Sequence, residues 1–200
     1  EQWFEAPELG EALAATRDAD ARFTNRVAQP SIVAATLAMW AALAPGIPAP
    51  ALVAGYSIGE LSAYGVADAL DPLDAVELAL ERARLMDACL GEGGPQAMVA
   101  LSGLPRAELD ALLARFSFYP AIVTGDDSLV AGGPAVQSEQ LAEAAQAAGA
   151  KPTILPVAVA SHTPLLQGAV EPFAALLRAQ HWNMPAFPVL SGISAEPVHD

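Results

Sequence analysis

Cysteine is almost absent. Cys89 is the sole one in 200 residues, so an internal disulfide is excluded, and no Cys/His cluster has the spacing of a zinc site. No metal site is expected, and the expected compartment is cytoplasmic. Positive charge is scarce: 9 Lys+Arg stand against 23 Asp+Glu, a formal net charge of −14. Nucleic-acid binding and attraction to an anionic membrane both need a basic face, so neither is expected. An apolar run of about 20 residues, the length that spans a bilayer, is missing as well. The longest run, residues 32–44, stops at Pro45-Gly46 and reads as a buried helix. No basic segment followed by an apolar stretch opens the chain, so no signal peptide is expected. The chain starts without Met and ends soon after an apolar run at 187–193, so both ends read as cut.

What is present is a core. The chain is 54% hydrophobic and 16% charged, which excludes general disorder. Its length suits one full domain, or a domain carrying a small inserted one. Residues 7–20 read as helix and loop. Pro30-Ser31 is expected to open a helix running to about residue 43. Residues 51–54, apolar between Pro50 and Gly55, read as a buried parallel strand. A helix follows at 60–66 and another from Asp71-Pro72 to about residue 90, with a glycine-rich hinge at 91–95. Beyond the hinge come a strand at 97–102, a helix at 105–116, strands at 119–124 and 128–131, a helix at 135–148 and a strand at 153–159. That β-α-β-β-α-β order is the ferredoxin-like split unit. A helix at 165–180 and a strand at 187–190 return to the larger body.

The segment Leu52-Val-Ala-Gly-Tyr-Ser-Ile-Gly-Glu60 carries the chemistry. A G-x-S-x-G between a strand and a helix is a nucleophile elbow. Gly55 and Gly59 are expected to be small because the turn is tight. Ser57 would project its hydroxyl beyond the strand. The Ile58 backbone N–H, at the helix amino end, would face the developing oxyanion. The expected architecture is therefore α/β: an α/β-hydrolase-like large domain of residues 1–94 and 160–200, with a ferredoxin-like small domain at 95–159. A serine nucleophile needs a base, and the candidates are His162, His181 and His199. His162 follows a strand and precedes a Pro-initiated helix, the position where α/β catalytic groups collect. His181 lies at a helix carboxyl end, where the dipole favours it, and His199 lies in a polar tail.

These motifs resemble the malonyl-CoA:acyl-carrier-protein transacylases and the acyltransferase domains of polyketide and fatty-acid synthases. The family signature is a G-H-S-x-G-E elbow, an arginine about two dozen residues on, and an S-H-x-x-L/M segment. Here they stand as Gly55-Tyr-Ser-Ile-Gly-Glu60, Arg82 and Ser161-His162-Thr-Pro-Leu-Leu166, with Gln29-Pro30 matching the family's Q-P entry into a helix. The resemblance covers nearly the whole chain. Tyr56 in place of histidine looks most like the transacylase (epsilon) subunit of bacterial malonate decarboxylase, with a fatty-acid or polyketide transacylase second.

The resemblance implies ping-pong transfer of a malonyl group from malonyl-CoA to the phosphopantetheine-type thiol of an acyl-carrier protein, with no bound cofactor. Ser57 would be the nucleophile, His162 the base, and Arg82 and Gln29 the substrate-binding residues, Arg82 pairing with the malonyl carboxylate. Arg84 lies about 200° from Arg82 around a helix, so both cannot face one site. The family's N-terminal G-Q-G-x-Q loop is not in this chain. Thr124-Gly-Asp-Asp127 departs from the family's Asn-containing loop and reads as a solvated turn. Two other classes compete. A serine esterase or thioesterase would carry an HGGG-type oxyanion loop, which is not seen. A decayed, non-catalytic module would not be expected to keep Ser57, Arg82 and His162 together.

Overall fold

The computed structural model describes residues 14–16 and 21–198. In chain order these form α1 (Asn25–Leu43), β1 (Val53–Ala54), α2 (Gly59–Val66), α3 (Pro72–Ala88), α4 (Leu90–Gly93), β2 (Gln96–Ser102), α5 (Arg106–Arg115), β3 (Tyr119–Gly125), β4 (Ser128–Pro134), α6 (Ser138–Ala147), β5 (Lys151–Ile154), α7 (Gln167–Ala179), β6 (Val189–Leu190) and β7 (Pro197–Val198). They divide into two compact units. One takes the described residues up to Ala83 and from Phe173 onward, and the other is Arg84–Pro172.

In the first unit, β1 pairs in parallel with β6, and β6 pairs antiparallel with β7, giving a mixed sheet in the order β1-β6-β7. Val33 and Leu37 of α1, Leu61 of α2, and Ala75, Val76 and Ala79 of α3 share one buried cluster. Phe173, Leu176 and Leu177 of α7 cover it. Fully burying a Val, Leu or Phe side chain contributes roughly 1.5–3 kcal/mol.

The amino end of α1 differs from expectation. Pro30 lies inside the helix rather than at its start. Val27, Pro30, Val33 and Leu37 form one buried stripe at helical spacing. The packing of that stripe carries the helix through a residue that supplies no N–H to the preceding turn. The helix is also longer than the apolar run at 32–44 implies. With Ala44–Gly46 it is long and apolar enough to cross a membrane, at a mean hydropathy of 1.5. Only 28% of that stretch is buried, so the buried helix expected at 32–44 is half right: Val33 and Leu37 enter the cluster, while Ile32, Met39 and Leu43 are exposed. The β7 strand went unforeseen in the tail. The Ser191 hydroxyl accepts from the Ile193 and Ser194 N–H groups and closes the turn that returns β7 to β6.

In the second unit the sheet runs β3-β4-β2-β5 with every pairing antiparallel, the ferredoxin-like arrangement for a β-α-β-β-α-β chain. Val99 and Leu101 of β2 meet Leu109 and Leu113 of α5 and Leu141 and Ala145 of α6 in its core. Both edge strands carry a proline, Pro120 in β3 and Pro152 in β5. A proline without an N–H is tolerated at an edge and discourages further pairing there. Asp126 and Asp127 form the exposed β3–β4 turn. Two expectations are corrected here. The hinge at 91–95 contains a helical turn, α4, and it is Gly94 that takes a left-handed backbone, φ 75°. The last strand is Lys151–Ile154, not 153–159. Pro156 has no N–H to extend the ladder, and the chain turns away after the Leu155 N–H bonds the Met98 carbonyl (2.9 Å). The helix and loop expected at 7–20 fall mostly outside the described residues.

A Cβ on Gly133 would sit 2.5 Å from the buried Phe118 ring. Gly133→Ala is expected to cost about 1–3 kcal/mol through overpacking, read as a lower urea midpoint at constant m-value.

Candidate active site

The site begins with a backbone constraint. β1 ends at Ala54 and α2 starts at Gly59, so the chain reverses within Gly55 to Ile58. A Cβ on Gly55 would lie 2.0 Å from the Gly59 carbonyl oxygen, so no other residue fits this backbone. Ser57 takes a left-handed backbone, φ 55°, which is strained for a residue with a side chain. The Gly59 N–H bonds the Tyr56 carbonyl (2.9 Å), and the Glu60 N–H bonds the Ser57 carbonyl (3.1 Å). Ile58 occupies the N-cap position of α2, so its N–H belongs to the electropositive end of that helix. Gly59 differs from the steric expectation: a Cβ there would meet nothing within 4 Å. Gly59 borders a cavity of about 440 Å³ between α1, β1 and α2. Ser57 is not among the residues lining that cavity.

Three of the residues singled out in the sequence converge. Arg82 Nη2 donates to Ser57 Oγ (3.0 Å), and Arg82 Nη1 donates to Gln29 Oε1 (2.5 Å). Gln29 is 5% exposed. Burial lowers the Arg82 pKa from its ordinary value, and the nearby Glu60 carboxylate opposes that shift. A guanidinium remains protonated at neutral pH under such a shift. Arg84, two residues on, is exposed, as the helical rotation required. Glu60 is itself closely packed: a Cβ on Gly192 would come 2.5 Å from its Oε1. Tyr56, beside the serine, is 58% exposed.

His162 belongs to the second unit. It is exposed, at the turn between β5 and α7, and its backbone is also left-handed, φ 62°. The turn is anchored on both sides of the imidazole. The Ala160 N–H donates to Oε1 of the buried Gln96 (2.9 Å), and the Thr163 hydroxyl donates to the Ala160 carbonyl (2.6 Å). Gly132 lets the turn approach β4, since a Cβ there would sit 2.8 Å from both Ala160 Cβ and Thr163 Cγ2. His181 is exposed past the end of α7, and His199 lies outside the described residues. Among the described residues no three His, Cys, Asp or Glu side chains gather to share a metal ion.

Four supporting residues were not read from the sequence: Asn25, Gln96, Gly132 and Thr163. Asn25 left a faint signal, one helical turn before Gln29. The partners of Gln96 and Gly132 are distant in sequence and left none.

Residues 11–199 match the acyl transferase domain family. The malonyl CoA-acyl carrier protein transacylase of Mycolicibacterium smegmatis is 32% identical over 213 residues, covering 98% of this chain and 72% of that protein. The Escherichia coli K12 protein of the same name is 32% identical over 174 residues, covering 84% of this chain and 56% of that protein. The chain thus spans little more than half the length of the Escherichia coli relative. Among solved structures, FabD from Acinetobacter baumannii matches with a TM-score of 0.80 at 27% identity, covering 100% of this chain and 69% of that one. A malonyl-transacylase solved with its type II polyketide-synthase acyl-carrier protein matches at TM-score 0.79 and 26% identity, covering 97% and 68%.

The two elbow glycines are expected to separate on substitution. Gly55→Ala should cost at least about 3 kcal/mol, because backbone atoms stand in the way of the new methyl. Gly59→Ala should stay within about 0.5 kcal/mol of the parent. Urea denaturation of both variants checks this, and equal losses would contradict it.

Proposed function

The chain belongs to the acyl transferase domain family, and we propose that it moves a malonyl group from malonyl-CoA to an acyl-carrier-protein thiol through an ester on Ser57. The observation that carries this reading is the half-buried Arg82 guanidinium donating to Ser57 Oγ at 3.0 Å. A cation fixed beside a nucleophile suits an acyl group that ends in a carboxylate, and a planar fork suits it better than an ammonium.

In this reading Ser57 Oγ attacks the thioester carbonyl and its proton passes to His162. The Ile58 N–H stabilises the oxyanion. The intermediate collapses, the C–S bond breaks, and CoA leaves with the proton from His162. The carrier thiol then gives its proton to His162 and attacks the malonyl-serine ester. The malonyl group leaves on sulfur and the proton returns to Ser57 Oγ. Arg82 holds the distal carboxylate throughout, and Gln29 holds Arg82. The inserted-domain division, with 95–159 as a small domain within 1–94 and 160–200, belongs to the same proposal, as does a cytoplasmic setting.

The names of the relatives support malonyl-CoA and an acyl-carrier protein as the substrates. Tyr56 supports a narrower reading, in which the carrier is that of malonate decarboxylase. A fatty-acid or polyketide carrier is the alternative, and comparing carrier thiols as acceptors separates the two.

Intact-protein mass spectrometry after incubation with malonyl-CoA or acetyl-CoA tests the proposal. A malonyl adduct is expected, absent in Ser57→Ala. Arg82→Ala should lower malonyl labelling relative to acetyl by about 10- to 100-fold, the worth of a charged hydrogen-bond pair. Release of free malonate without an adduct would instead identify a hydrolase. Neither adduct nor turnover would leave a non-catalytic module.

A further inference from the structure

We infer that Asn25 is a positioning residue for the carboxylate clamp: it sets which end of the Gln29 amide faces Arg82, and thereby aims the guanidinium at Ser57. The inference rests on the malonyl reading only for its consequence in substrate selection. Its geometry stands alone.

Arginine donates and cannot accept, whereas a glutamine amide has one accepting end and one donating end. Gln29 serves Arg82 only while Oε1 faces it. The flipped amide would set N–H against N–H, and at 5% exposure Gln29 has little water to compensate. The other end of the amide decides the matter. Gln29 Nε2 donates to Asn25 Oδ1, one helical turn earlier on α1. Asn25 is held the same way round because its Nδ2 donates to the Ala83 carbonyl (3.0 Å), beside Arg82 on α3. The path therefore closes on itself from α3 to α1 and back to α3. Every link has its donor facing an acceptor, so reversing either amide breaks two links. Asn25 reaches Arg82 through Gln29.

Three substitutions separate this role from simple packing. Asn25→Leu keeps the branched shape and removes both hydrogen bonds. Asn25→Asp keeps the acceptor for Gln29 Nε2. Gln29→Glu replaces the two-ended amide with a carboxylate that has no wrong end, so Asn25 should no longer matter. Arginine-selective nitrogen-15 NMR on the intact protein reads the guanidinium directly, with Arg82 assigned from Arg82→Lys. The parent is expected to show resolved, slowly rotating Arg82 Nη–H signals. They should merge in Asn25→Leu, stay resolved in Asn25→Asp, and stay resolved in Gln29→Glu with or without Asn25→Leu. In labelling kinetics, Asn25→Leu should lower the malonyl-over-acetyl ratio about tenfold, mainly through KM for malonyl-CoA.

Resolved Arg82 signals in Asn25→Leu would overturn the inference. So would equal loss in Asn25→Leu and Asn25→Asp, or an Asn25→Leu effect that persists on Gln29→Glu. If the NMR pattern holds but the parent takes no malonyl label, the positioning role stands and the malonyl reading falls.

Discussion

The contact of Gly55 with the Gly59 carbonyl is the constraint on which the site depends. A strand of two residues must turn into a helix within four, and the turn closes only if one residue has no side chain. The strain of that closure falls on Ser57, whose left-handed backbone is held by the Tyr56–Gly59 and Ser57–Glu60 bonds and by α2 packed behind it. A strained residue that its surroundings over-determine does not relax away from its task. The serine hydroxyl is thereby presented at a helix amino end, beside a cation.

That cation donates to uncharged groups. Burial works against the Arg82 charge, and the field of the Glu60 carboxylate opposes that effect. The guanidinium's hydrogen-bond acceptors are both uncharged, the Gln29 amide and the Ser57 hydroxyl. A carboxylate in place of the amide would satisfy the donor and also neutralise the charge. An amide satisfies the donor and leaves the charge unneutralised, as the proposed clamp for an acyl carboxylate needs. The cost of the choice is ambiguity, because an amide has two ends, and Asn25 removes it.

The histidine turn follows the same logic by different means. His162 is exposed and its backbone is left-handed, yet its neighbours are buried and bonded. Gln96 at the start of β2 and the absence of a side chain at Gly132 bring the turn down onto the small sheet. The imidazole is exposed while the flanking peptide is fixed, which suits the role of base proposed for it.

Features that depend on neighbours along the chain were legible before the fold was known. The G-x-S-x-G between an apolar run and a helix marked the elbow, the β-α-β-β-α-β order marked the small sheet, and helical rotation separated Arg82 from Arg84. Tertiary structure alone decided the rest. Packing of a buried stripe carried α1 through Pro30, and a return turn made β7 from what read as a tail. The bond from Asn25 reaches a backbone carbonyl 58 residues away, and that of Gln96 a backbone N–H 64 residues away. Every residue has a backbone carbonyl, and all but proline an N–H, so such a partner has no signature in the sequence. It becomes visible only when the folded chain brings one particular peptide group within reach.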